Sequence, residues 1–100
     1  MPDSEISLET AVIVKPGLHE RRVGDKVFVL DAESVMHAMD NAVAVAIWDA
    51  FRDAPPGGLS VHAVARAIAQ DFEVGPDQAS GDVLDFACLL HVRGILVPSD

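Results

Sequence analysis

The sequence predicts an α+β domain in which an N-terminal three-stranded antiparallel β-sheet precedes three α-helices, the outline of a winged helix-turn-helix. Three observations carry this. Short β-branched or alternating segments separated by turn residues fill the first forty positions. Apolar residues then recur at helical spacing, starting just past a capping Asn41. Two Gly and Pro clusters cut the helical half into three.

The first ten residues, MPDSEISLET, are polar and acidic and read as a flexible segment ahead of a single domain over 11–97. Ala11-Val12-Ile13-Val14 is β-branched and reads as a short edge piece, broken by Pro16-Gly17. Residues 18–23 are strand-compatible but carry Glu20, Arg21 and Arg22 together. Gly24-Asp25 is a turn signal, and residues 26–30 alternate around Val27 and Val29 as a second strand of the sheet. After the turn Asp31-Ala32-Glu33, residues 34–39 read as the third strand. Val35, Met36, Ala38 and Met39 place apolar groups on both of its faces, so it is either buried on two sides or exposes an apolar strip.

Asp40 or Asn41 can cap the first helix, which should reach about Arg52 with Val43, Ile47 and Phe51 on one stripe and Ala44 and Trp48 beside it. Trp48 is expected in the core with its indole nitrogen at the rim. Pro55-Pro56-Gly57-Gly58 ends that helix. Ser60 caps the second, in which Val61, Val64, Ala65, Ile68 and Phe72 share a face. Pro76 suits the first position of the third helix and Asp77 its positive end, while Val83, Phe86, Ala87 and Leu90 form the buried stripe before Gly94. Ile95-Leu96-Val97 is left to close the core as a strand or an extended segment.

Composition removes whole classes of function. Sixteen acids against seven bases give a net charge of -9, which repels phosphate backbones and anionic lipid, so neither nucleic acid nor membrane is an expected partner. The apolar run 42–48 is far too short to span a bilayer, and a cytoplasmic protein is the expectation. A single cysteine, Cys88, rules out an internal disulfide framework and reads as a small buried thiol. His19, His37, His62 and His91 are scattered without metal-ligand spacing, and no phosphate loop, nucleophile elbow or acid-base pair is present. Asp82 and Asp85 read as a solvated face or as a negative wall for a basic residue rather than as catalytic acids. No catalytic residue, metal or cofactor is expected; the chain reads as a binding module and not an enzyme.

The ordered combination of Gly24-Asp25, Val29-Leu30-Asp31, Asn41 with Ala44, Ile47 and Trp48, Ser60-Val61 with Val64-Ala65 and Ile68, and Asp82-Val83, Phe86, Leu90 and Gly94-Ile95-Leu96 resembles the PqqD-like family, also called RiPP recognition elements. It covers residues 14–97. The chain departs from the family pattern at Asp40, where Leu is common, and in the longer connection over 52–58.

The resemblance implies that the chain recognises the leader of a ribosomally made precursor peptide and presents it to a modifying enzyme such as a radical SAM protein, a cyclase or a leader protease. The leader would lie as an added strand on the third strand, at Val35, Met36, His37, Ala38 and Met39, facing Asp82, Asp85, Phe86, Leu89 and Arg93 of the third helix. Phe86 belongs more to the core than to the groove by its spacing with Val83 and Leu90. Two other readings stand beside this one. An acidic assembly or regulatory subunit would use the same edge to dock or to form a homodimer, and a winged-helix DNA-binding regulator would have to place the acidic third helix in a groove.

Overall fold

The computed structural model describes residues 6–31 and 33–98. Gly24-Asp25 turns the chain between β2 (His19–Val23) and β3 (Lys26–Leu30), and β4 (Met36–Met39) pairs antiparallel on the other side of β3. The expected three-stranded sheet is therefore present, in the order β2-β3-β4. Its third strand starts two residues later than the sequence suggested, because Ser34 takes a left-handed φ of 67° in the turn and cannot join the ladder. The strand ends at Met39, and Asp40 only links it to the next cap.

Asn41 caps α1 (Ala42–Arg52), its Oδ1 accepting the Ala44 N–H at 2.8 Å, and Ile47, Trp48 and Phe51 are buried. Trp48 departs from expectation. The whole side chain is 1% exposed, and its Nε1 is buried with no hydrogen-bond partner among the described residues, so no polar end reaches the rim.

Ser60 caps α2 (Val61–Phe72) through its Oγ, which accepts the Ala63 N–H at 3.0 Å. The stripe Val61, Val64, Ala65 and Ile68 faces α3 (Pro76–Val92), whose Ala79, Val83, Ala87 and Leu90 answer it. Phe86 is half-buried against this core, as its spacing suggested. At the end of α3, Gly94 N–H donates to the His91 carbonyl and Ile95 N–H to the Leu90 carbonyl, a Schellman closure that needs the left-handed φ of 77° at Gly94. The chain then runs directly into β6 (Leu96–Pro98).

A second three-stranded sheet lies beyond what the sequence indicated. β1 (Ala11–Val14) is its central strand, not an edge piece, with β5 (Leu59–Ser60) on one side and β6 on the other. Gly58 explains the Pro-Gly-rich connection. A Cβ there would sit 2.6 Å from the Val12 carbonyl oxygen, so only glycine lets the loop approach β1 closely enough to form β5. Of the N-terminal segment, residues 1–5 lie outside the described residues. Ile6 is buried at 5% exposure, and the carbonyls of Leu8 and Thr10 accept the N–H groups of His62 and Val61. Cys88 is half-buried, with Sγ 3.7 Å from the Ile6 carbonyl oxygen.

Candidate functional site

The β3-β4 turn is set by one carboxylate. Asp31 Oδ1 accepts the N–H groups of Glu33 at 2.8 Å and Val35 at 3.0 Å, and Oδ2 lies 2.8 Å from His37 Nε2. The contact with His37, together with those two backbone donors, holds the Asp31 carboxyl below the usual carboxylate range. A side chain of the turn thus fixes both the entry to β4 and one residue within it.

Register decides which way β4 faces. Met39 pairs with Val27 and His37 with Val29, and these positions turn toward the core, leaving Met39 2% exposed. Met36 and Ala38 pair with Leu30 and Phe28 on the other face and are exposed, Met36 at 62%. The backbone alternates as well. Asp31 N–H donates to the Val35 carbonyl at 3.0 Å, so in this register Val35, His37 and Met39 direct their peptide groups at β3, while those of Met36 and Ala38 point away from it. No strand pairs with that outer side among the described residues.

Of the ten residues singled out from the sequence, two meet in one cleft. Val35 and Arg93 share it with Lys15, Asp31, Glu33, Val92 and Gly94, in a volume of about 310 Å³. Asp82, Asp85 and Leu89 lie on the exposed face of α3, whose last residue Val92 and C-cap Arg93 enter that cleft, but they do not line it. Met39 contributes no side chain to the surface, and Phe86 is committed to the core. Lys15 and Val92 have no place in the sequence reading of the site, and Asp31 enters it only as a turn and family-pattern residue. Lys15 reaches the cleft through tertiary pairing, its N–H donating to the Ile95 carbonyl at 2.8 Å, which no local pattern signals. Asp31 did leave a signal: an Asp opening a turn commonly accepts from the backbone just beyond it.

A second concavity, of about 650 Å³, lies on the outer face of β2-β3-β4, over Phe28, Leu30, Met36 and Val23, with His19 and Arg21 at its side. Among the described residues no three His, Cys, Asp or Glu side chains gather as a metal site, and no helix is long and apolar enough to cross a membrane.

No curated protein matches the chain. A solved structure does: the PqqD truncation of Methylobacterium extorquens PqqCD, described as a functional and stand-alone RiPP recognition element, superposes with a TM-score of 0.72. That match covers 93% of this chain and 95% of that one at 19% identity, and it establishes the shared fold. The sequence model for Coenzyme PQQ synthesis protein D (PqqD) matches residues 26–96, from the start of β3 to the start of β6. With well over half of its length inside that match, the chain belongs to the PqqD family.

Proposed function

We propose that this chain binds the leader of a ribosomally synthesised precursor peptide by strand addition to β4 and presents it to a modifying enzyme. The observation that carries the reading is the outer side of β4. Among the described residues its peptide groups at Met36 and Ala38 are unpaired, no acid or base projects from the strand apart from the half-buried His37, and a cleft lined by Val35, Val92 and Arg93 lies beside it. An incoming strand gains main-chain hydrogen bonds along the edge and side-chain selection from the cleft.

Val35, Met36, His37 and Ala38 are the residues proposed to meet the peptide, Met39 through its backbone alone. Leu89 and Arg93 extend the contact on α3, with Asp82 and Asp85 further along the same exposed face. The Asp31 turn is proposed to hold the edge in shape before the peptide arrives, which lowers the ordering cost of binding. The chain supplies no catalytic group in this reading; the chemistry belongs to a partner such as a radical SAM protein, a cyclase or a leader protease, and the setting is cytoplasmic. DNA is disfavoured by Asp77, Asp82 and Asp85, all exposed on α3.

The test is titration of the isotopically labelled chain with the precursor peptides encoded beside it. Amide shifts concentrated in residues 34–39 and 77–93 are expected. If no such precursor perturbs either stretch, the reading is abandoned.

A further inference from the structure

The outer face of β2-β3-β4 is built like the floor of a missing layer. The inner face packs on α1, whereas the outer face shows Val23 at 56% and Met36 at 62% exposure, flanking half-buried Phe28 and Leu30. A sheet buries each apolar face against another layer, and the usual cover for a short antiparallel sheet is a helix. The outer strands of a three-stranded sheet lie about 10 Å apart, which is about the width of one helix with its side chains.

Charge on this face runs against the rest of the molecule. The chain carries -9 overall, yet His19 and Arg21 alternate along the β2 side, and Lys26 shares the face of Phe28 and Leu30 by strand parity. Arg22, next to Arg21, points to the other face and is held by Asp49 at 2.7 Å. Arg21 and Lys26 have no ion-pair partner among the described residues. The one carboxylate in the lining, Glu20, is taken by Arg52 Nη1 at 2.6 Å. The β2 side of the concavity therefore carries one uncommitted charge, Arg21, with Lys26 on the same sheet face at the hairpin end of β3, while the opposite side, at Met36, is apolar.

We propose that this face docks an acidic amphipathic helix of the protein that receives the peptide. The helix lies along the strands, its apolar stripe on Phe28, Leu30 and Met36 and its carboxylates toward Arg21 and Lys26. A second copy of this chain paired through the same face is a poorer fit, because the one carboxylate in the lining, Glu20, is already held by Arg52 and none is left to meet Arg21. An anionic lipid surface does not fit either, because the net charge of -9 repels it. This goes beyond strand addition to the β4 edge and shares only Met36 with it: the edge uses that residue's outward peptide groups and the helix its side chain on the sheet face, so both partners can be held at once.

The test uses the full chain and two designed helical peptides of about 18 residues, long enough for a stable helix. They share one Leu stripe and differ only in carrying Glu or Lys along its flanks. The Glu helix is expected to shift the amides of Arg21, Val23, Phe28 and Leu30, while the Lys helix leaves them unchanged. In the double variant Arg21→Glu, Lys26→Glu the Glu helix should weaken by about tenfold or more and the Lys helix should gain, with edge-peptide titration unaltered. If that variant loses its dispersed spectrum, Arg21→Gln is read instead, with a smaller loss of the same sign. Equal binding of both helices, no binding of the Glu helix, or preference for phosphatidylglycerol vesicles over it would overturn the proposal. Loss of edge-peptide binding with helix binding intact would count against strand addition alone.

Discussion

The two edges of the β2-β3-β4 sheet are built in opposite ways. All five residues of β2 are exposed, and four of them are His19, Glu20, Arg21 and Arg22. Its inward-facing charges are stapled to α1: Glu20 to Arg52 at 2.6 Å and Arg22 to Asp49 at 2.7 Å, with Arg52 also 3.4 Å from Asp49. β4 has no such covering. Its only titratable residue, His37, is half-buried against Asp31, and Met36 and Ala38 face water. Charged side chains along an edge repel a further strand, and their absence admits one. One sheet therefore carries a closed edge and an open one, and the open one lies next to the cleft at the end of α3.

The largest expected effect separates the two sets of peptide groups within β4 itself. His37→Pro removes a donor directed at β3 and breaks the contact with Asp31, and should cost about 3 kcal/mol of stability or more. Met36→Pro removes only an outward donor. It should leave the folding midpoint within about 1 kcal/mol of the parent, since an edge tolerates proline on its open side, while weakening leader binding about tenfold or more through a lost ladder bond and the ring's bulk. Chemical denaturation and peptide titration on the two variants distinguish these outcomes; binding unchanged in a folded Met36→Pro chain counts against addition at this edge.

Giving β4 the character of β2 comes next. Met36→Lys with Ala38→Lys should weaken leader binding by about tenfold with little change in stability. The reverse change, Arg22→Ala on β2, should cost only about 0.5–1 kcal/mol, the worth of an exposed pair, and leave leader affinity alone. A leader whose affinity falls with Arg22→Ala would move the site to the wrong edge.

The turn that presets β4 gives a pH signature. Asp31 holds its proton less tightly in the folded chain than in an unfolded one, so the turn's contribution is complete above the ordinary carboxylate value of about 4. It is lost as pH falls through the lower folded value. Hydrogen exchange at the Glu33 and Val35 amides should accelerate in that acid window beyond its intrinsic trend. Asp31→Asn should abolish the transition while keeping an oxygen to accept the two N–H bonds. A transition that persists in Asp31→Asn would assign it to another group.

The smallest effect is expected at Asp85, which lies on the exposed face of α3 but outside the cleft. Asp85→Lys should change leader affinity by about twofold and alter its salt dependence, as for any charge at the rim. A loss as large as that of Met36→Pro would bring this stretch of α3 into the binding surface proper.

What the sequence disclosed follows the range of the interactions. Asn41, Ser60 and Pro76 marked three helix starts because capping is a matter of three or four residues, and the stripes beyond them identified nearly every core position. β1 was misjudged because its partners, β5 and β6, are two- and three-residue strands more than forty positions away, with no period of their own. Parity along β4 was undecided while apolar residues occupied both faces, and only the pairing of Met39 with Val27 turned Met36 and Ala38 outward. Two of the cleft's seven lining residues, Val35 and Arg93, stand among the site candidates read from the sequence, whereas Lys15 arrives through a sheet that the local pattern does not announce.

The central claim concerns two peptide groups, and amide spectroscopy of Met36 and Ala38 with the precursor peptide encoded beside the chain addresses it most directly. On saturation, both amides should shift downfield and become protected from exchange, with close contacts to the α-protons of the peptide, while the amides of residues 19–23 stay in place. Tight binding that leaves Met36 and Ala38 unprotected, or that protects β2 instead, would contradict it.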